Sequence, residues 1–235
     1  MSQFTGQRVA VTGAASGIGL AQATAFVAAG AQVLAVDQTP LTTAGVRPLQ
    51  ADVTAPATAE LIADFAPTIV CNTAGVLDGY HTVQETSLAE WDQIIAVDLT
   101  SQFRVIKAVL PAMLAQGHGV FVNMSSIAGL VGGGGGIAYT AAKHAVIGMT
   151  KQLDLDYAAR GIRANAIAPG AIDTPMNAAD FAGDGQMAHW VAEQTPAKRW
   201  AKPEEVAALT LFLASPAADY IHGAVVPIDG GWLAK

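Results

Sequence analysis

Short apolar runs rich in β-branched residues alternate along this chain with longer stretches whose apolar positions recur at helical spacing. Residues 8–12 (RVAVT) make a strand-like run that stops at a glycine-rich turn, 18–29 continues with apolar residues at helical spacing, and 32–36 (QVLAV) is again strand-like and stops at Asp37. That is strand, glycine turn, helix, strand. The alternation continues with a short strand over 47–50, a helix over 57–65, a buried strand over 68–71, a long helix over 88–116 broken or bent near Pro111, and a strand over 120–124. A second long helix follows over 138–160, then a strand over 162–167, a helix over 203–214 and a last strand over 224–228. Strands alternating with helices predict an α/β fold whose parallel, doubly wound sheet is covered on both faces. Ligands of such sheets bind beyond the carboxyl ends of the strands, where strand order reverses.

Composition raises the question of a membrane, because 52% of the 235 residues are hydrophobic and only 13% charged, with a mean hydropathy of +0.38. The longest charge-free stretch, 108–142, is interrupted by Pro111, Gln116, His118, Asn123 and a run of glycines, so no spanning segment fits inside it. Much of the apolarity is small side chains, 48 alanines and 24 glycines, suited to helices lying close to a sheet. A net charge of −7 argues against a nucleic-acid surface. The single cysteine, Cys71, excludes a disulfide framework, and Met1–Gly6 has neither the basic nor the apolar region of a signal peptide, so a cytoplasmic protein is expected. No internal repeat, linker or metal-ligand spacing appears, and residues 1–235 read as one domain.

The turn after the first strand, Thr12-Gly13-Ala14-Ala15-Ser16-Gly17-Ile18-Gly19, has the form of a phosphate cradle. Gly13 suits the tight turn, Gly17 lets backbone approach a pyrophosphate, Gly19 lets the helix pack near the strand, and the helix N-terminus offers free N–H groups. Ala15, Ser16 and Ile18 complete the candidate contacts. Asp37, at the end of the next strand, is placed to accept hydrogen bonds from an adenosine ribose. A carboxylate there repels a 2′-phosphate, and neither Gln38 nor the 14–16 turn supplies an Arg or Lys to clamp one. The expected cofactor is therefore NAD(H).

Tyr139 and Lys143 lie four apart in a helical segment and share a face, and Ser126 follows the strand over 120–124. With the glycine turn, these residues resemble the short-chain dehydrogenase/reductase family. The resemblance runs the length of the chain, through Asp52-Val53, Asn72-x-Ala74-Gly75, Ser126, Tyr139-x-x-x-Lys143 and Pro169-Gly170-x-x-x-Thr174. It implies a Rossmann-type sheet and a ketone–alcohol interconversion in which Tyr139 is the general acid/base, Lys143 lowers its pKa and holds the nicotinamide ribose, and Ser126 hydrogen-bonds the substrate oxygen. It also implies cofactor contacts: Asp52 and Val53 beside the adenine, Asn72, Ala74 and Gly75 lining the groove, and Pro169, Ile172 and Thr174 near the nicotinamide carboxamide. Where the family has an asparagine that holds a helix distortion and a water at the lysine, this chain has Asp98, so the proton relay rests either on its backbone carbonyl or on a side chain that is no longer an amide. The stretch between Asp37 and Arg47 is also too short for a crossover helix.

Five consecutive glycines, 132–136, border the substrate side by resemblance, and residues 175–199 form an expected short lid after the sixth strand. No Arg or Lys falls between Arg163 and Lys198, which favours a small neutral ketone or secondary alcohol. The apolar faces of 94–114 and 141–157 point to an oligomer, and the resemblance implies that these helices pair between copies in a homotetramer. Two other readings stand beside this one: reduction of a 3-oxoacyl thioester, and a non-catalytic NAD(H)-binding redox sensor or scaffold, the latter drawing on Asp98.

Overall fold

A computed structural model describes residues 3–235; Met1 and Ser2, the start of the stretch read above for a leader, lie outside the described residues. Seven strands form one parallel sheet: β1 (Arg8–Thr12), β2 (Gln32–Asp37), β3 (Val46–Gln50), β4 (Ile69–Asn72), β5 (Gly119–Met124), β6 (Ile162–Pro169) and β7 (Val225–Ile228), in spatial order 3-2-1-4-5-6-7. Order reverses between β1 and β4, so the crevice for a ligand opens at their carboxyl ends. The described residues form seven α-helices, α1 (Gly17–Ala28), α2 (Pro56–Asp64), α3 (Leu88–Ile95), α4 (Ser101–Gln116), α5 (Ile137–Tyr157), α6 (Gln186–Gln194) and α7 (Pro203–Ala214), of which α1, α2, α4, α5 and α7 pack on the sheet.

The strands are apolar on both faces because both faces are buried. Val9 and Val11 of β1 join Phe26 of α1 and Val206 and Leu213 of α7 on one side. Ala10 and Leu34 join Ile62, Val105, Val109 and Leu153 from α2, α4 and α5 on the other. No helix intervenes between β2 and β3, as the short connection requires.

One expectation is corrected. The long helix is not broken at Pro111; α4 carries through that proline to Gln116 and ends at Gly117, whose φ of 66° is left-handed. The interruption lies upstream, in a π-helical turn over Ala96–Thr100. Its cause is Asp98, whose side chain is drawn inward to Val76 and Lys143. Beyond β6 the chain forms a 3-10 stretch over Pro175–Phe181 and then α6. Among the described residues no helix is long and apolar enough to cross a membrane, and no cluster of His, Cys, Asp or Glu is placed to hold a metal.

Candidate active site

The phosphate turn is built by close approach. Gly13 sits at φ +70°, and a Cβ there would lie 2.8 Å from the Cα of Ala74. A Cβ at Gly19 would lie 2.1 Å from the carbonyl oxygen of Gly13, so α1 starts where only glycine fits against the turn. Thr12 ties the two loops together, its hydroxyl accepting the N–H groups of Thr73 (3.0 Å) and Ala74 (3.1 Å). The first turn of α1 has no side-chain cap and lines the crevice, which leaves its backbone donors for an anionic ligand. Asp37 is fixed at the crevice wall: its carboxylate accepts the N–H of Ala15 at 3.0 Å and that of Thr39 at 2.8 Å. Each carboxylate oxygen has a further lone pair for ribose hydroxyls.

The crevice encloses about 640 Å³. It is lined by Gly13, Ser16, Gly17, Ile18, Gly19 and Asp37, by Ala74 and Gly75, and by Ser126, Tyr139, Lys143, Pro169, Ile172 and Thr174, with Thr174 packed beside Gly17. Asp52 and Val53 line an adjoining cavity of about 390 Å³ next to Asp37. The size, the glycine cradle and the acid at the end of β2 fit a dinucleotide. Three residues stand elsewhere. Ala15 contributes its N–H to Asp37 rather than a wall. Asn72 was expected to line the groove but is turned into the sheet, 1% exposed, with its amide donating to Asn123 Oδ1 at 2.9 Å. Asp98 lies beneath the wall, fully buried.

Asp98 defines the electrostatics of the site. Lys143 Nζ, 3% exposed, is 2.9 Å from Asp98 Oδ2 and donates to the carbonyl of Met124 at 3.3 Å. The other oxygen of Asp98 accepts the N–H of Val76 at 2.9 Å. The Asp98 carboxylate thus pairs with the lysine directly, while its backbone carbonyl accepts the side-chain amide of Gln102 at 3.1 Å. Lys143 Nζ also lies 5.2 Å from the centroid of the Tyr139 ring, and Ser126, whose hydroxyl accepts the N–H of Ala128 at 3.1 Å, is near enough to the phenol to lower its pKa.

Burial would push Lys143 down, but the charge of Asp98, with Tyr139, outweighs it and holds the ammonium above its ordinary range. Burial lifts Tyr139 above the ordinary tyrosine value. Lys143 pulls the phenol down, as expected, but less than burial raises it, and Asp98 adds to the rise while Ser126 opposes it. Burial likewise lifts Asp98 itself, more than Lys143 and the Val76 N–H lower it.

The glycine run has a packing reason beyond making room. A Cβ at Gly135 would lie 2.6 Å from Tyr139 Cδ1, so the loop presses directly on the tyrosine ring. The far end of the crevice is lined by Leu77, Tyr80, Met176, Met187 and Trp190, with Asp180 beside them. Sequence reasoning missed Asp78, a buried carboxylate that accepts the backbone N–H groups of Gly136 (2.7 Å) and Tyr139 (3.0 Å). Its partners are 58 and 61 residues away, and in sequence it reads as an ordinary turn residue before Gly79.

Comparison with known proteins places the chain among oxidoreductases. A family model described as enoyl-(acyl carrier protein) reductase matches residues 13–233. The chain is 38% identical over 248 aligned positions to galactitol 2-dehydrogenase (L-tagatose-forming) of Cereibacter sphaeroides, covering 98% of this chain and 96% of that protein. It is 38% identical over 251 positions to cis-4-hydroxycyclohexanecarboxylate dehydrogenase of Sinomonas cyclohexanicum, covering 100% of both. A solved structure from Beutenbergia cavernae, assigned as an NAD(P)-dependent gluconate 5-dehydrogenase with NADP bound at low occupancy, superposes with a TM-score of 0.93 at 36% identity, over 98% of each chain.

Proposed function

The chain belongs to the short-chain dehydrogenase/reductase family and is an oxidoreductase of alcohols and ketones, and we propose that it uses NAD(H), with Tyr139 as the general acid/base, on a small neutral ketone or secondary alcohol. The observation that carries this reading is convergence: Ser126 after β5 and Tyr139 and Lys143 on α5 line the same crevice as the Gly13–Gly19 turn. When bound, nicotinamide gives or takes the hydride. The chain supplies the rest. Ser126 is placed to hold the substrate oxygen, Tyr139 to exchange a proton with it, and Lys143 to keep a positive charge beside the phenol and to bind ribose hydroxyls.

The cofactor preference rests on Asp37. Lys143 is the one cation among the described residues lining the crevice and its adjoining cavity, and its partner is Asp98 rather than a group beside Asp37 at the adenosine end. Nothing at that end would neutralise a 2′-phosphate, and Asp37 would repel one, unlike what NADP in the Beutenbergia structure implies for that protein. The same lack of free cations, with Asp180 at the far end, disfavours substrates that carry a carboxylate or phosphate. Residues 175–199 bring Met176, Met187 and Trp190 to the crevice and act as its lid. The test is cofactor oxidation over a panel of aliphatic, cyclic and hydroxy ketones with each cofactor at equal low concentration. NADH should be used with a kcat/KM at least about tenfold above NADPH; faster turnover of NADPH would defeat the preference.

The reading of the assembly is supported by exposure: Phe103 on α4 is 52% exposed and Leu155 on α5 77%, apolar groups that a second copy would cover. We propose a cytoplasmic homotetramer. Light scattering should give a mass about four times 24.0 kDa; a monomer mass would refute it.

A further inference from the structure

We propose that Asp78 is a positioning residue for Tyr139: it caps the catalytic helix from across the site and couples the substrate-side wall to the proton donor. This rests on the acid/base reading of Tyr139 above. Helix α5 begins after Gly136, which has no side chain with which to cap it. The cap is supplied instead by Asp78 from the loop after β4, one oxygen accepting the N–H of Gly136 at 2.7 Å and the other that of Tyr139 at 3.0 Å. Tyr139 is the third residue of α5, the position whose N–H an N-cap side chain normally binds. The carboxylate is 8% exposed and faces the positive end of the helix, where its charge is favoured. Position 136 has no room for a local cap, because a Cβ there would lie 2.7 Å from Asp78 Oδ2.

Capping from a distance does something a local serine or aspartate would not. Leu77 and Tyr80, on either side of Asp78, line the crevice. The segment is anchored on its other side to α3, where Glu90 accepts the N–H of Gly79 at 3.2 Å and pairs with His81 at 2.9 Å. Asp78 is therefore the joint at which this wall, the glycine loop and the backbone of Tyr139 meet. The height of the phenol over the crevice depends on the same carboxylate that places Leu77 and Tyr80 against the substrate.

The experiment compares Asp78→Ala and Asp78→Asn with the wild type, the second keeping the size of the side chain and one acceptor oxygen. Asp78→Ala should lower kcat by about ten- to a hundredfold, as a small misplacement of a catalytic group does. Asp78→Asn should fall between it and the wild type, with NADH affinity within about twofold of wild type in both, since the glycine turn and Asp37 are untouched. The groups that face the Tyr139 phenol are Lys143, Asp98, Ser126, Asp78 and the phenol of Tyr80. Both variants remove one negative charge from that set, so the phenol should titrate at lower pH. This is read without substrate from the ultraviolet difference spectrum, each protein being blanked against its own Tyr139→Phe counterpart so that Tyr80, which Asp78 also raises, cancels, over the range where circular dichroism stays native. If no ketone is reduced by the wild type, the catalytic reading fails and the two titrations are compared: a larger displacement in Asp78→Ala than in Asp78→Asn, which keeps one acceptor for the helix N–H groups, supports positioning, and equal shifts, as loss of charge alone gives, overturn it. A folded variant whose phenol does not move, or whose kcat stays within about twofold of an active wild type, overturns the proposal whatever its melting temperature.

Discussion

Tyr139→Phe should lower turnover by about 10²–10⁴-fold, the contribution of a positioned acid/base, while leaving NADH affinity and the fold as they are. The change removes one oxygen from a ring that is 8% exposed and packed with Ala138, Ala142 and Ile94, so the packing survives. Lys143, the glycine turn and Asp37 are untouched, so cofactor binding survives as well. The pH dependence has a definite sign. Ketone reduction needs the neutral phenol as acid, and burial lifts Tyr139 above the ordinary tyrosine value. Reduction should therefore hold through neutral pH and fall only as the pH rises through that raised value, whereas alcohol oxidation, which needs the phenolate, should increase toward alkaline pH. Initial rates in both directions, paired with fluorescence titration of NADH, check this. A Phe variant that retains turnover removes Tyr139 from the mechanism.

The second large effect is expected at Asp98. Asp98→Leu strands the Lys143 ammonium in a site where it is 3% exposed, and removing one partner of a buried pair costs about 3–5 kcal/mol. Denaturant unfolding should read a loss of that size. Asp98→Asn is gentler, because it keeps an acceptor for the Val76 N–H and removes only the charge. Asp98 pushes the Tyr139 phenol up, so its neutralisation should move the limb for alcohol oxidation to lower pH. Linkage adds a second sign. Lys143 lies above its ordinary value in the folded chain, so its contribution to stability is present below the ordinary lysine range and lost as the pH rises through the raised value. The Asn variant should lack that alkaline loss. A pH–rate profile identical to wild type would show that Asp98 holds the lysine without acting on the tyrosine.

Much of this site could be read along the chain because its logic is local. The glycine turn is a spacing within one loop, Tyr139 and Lys143 share a helical face, and Ser126 and Asp37 mark strand ends. What could not be read depends on partners distant in sequence. Asp78 acquires its role from N–H groups 58 and 61 residues away. Asn72 ends a strand buried on both faces, so alternation could not say whether its amide turns to the crevice or to Asn123. Pro111 drew the expected helix break because it lacks an N–H, yet α4 absorbs it. The real distortion at Ala96–Thr100 is set by an ion pair to a helix that begins some forty residues later.

The long charge-free stretch over 108–142 also takes on a meaning. It comprises the second half of α4, strand β5 next to the central strand, the Ser126 turn, the glycine loop and Tyr139. Asp98, Lys143 and Tyr139 are buried beside this uncharged stretch, and such surroundings strengthen the electrostatic contacts they make.

The most direct test of the central claim follows the hydride. The enzyme is incubated with NADH carrying deuterium at the transferable position of the nicotinamide and with a neutral ketone from the active panel, and the product is analysed by mass spectrometry. The account predicts an alcohol that carries deuterium on its carbinol carbon, formed in step with oxidised cofactor and absent with Tyr139→Phe. Tight NADH binding with no transfer of deuterium to any carbonyl would contradict it and leave a cofactor-binding sensor in its place.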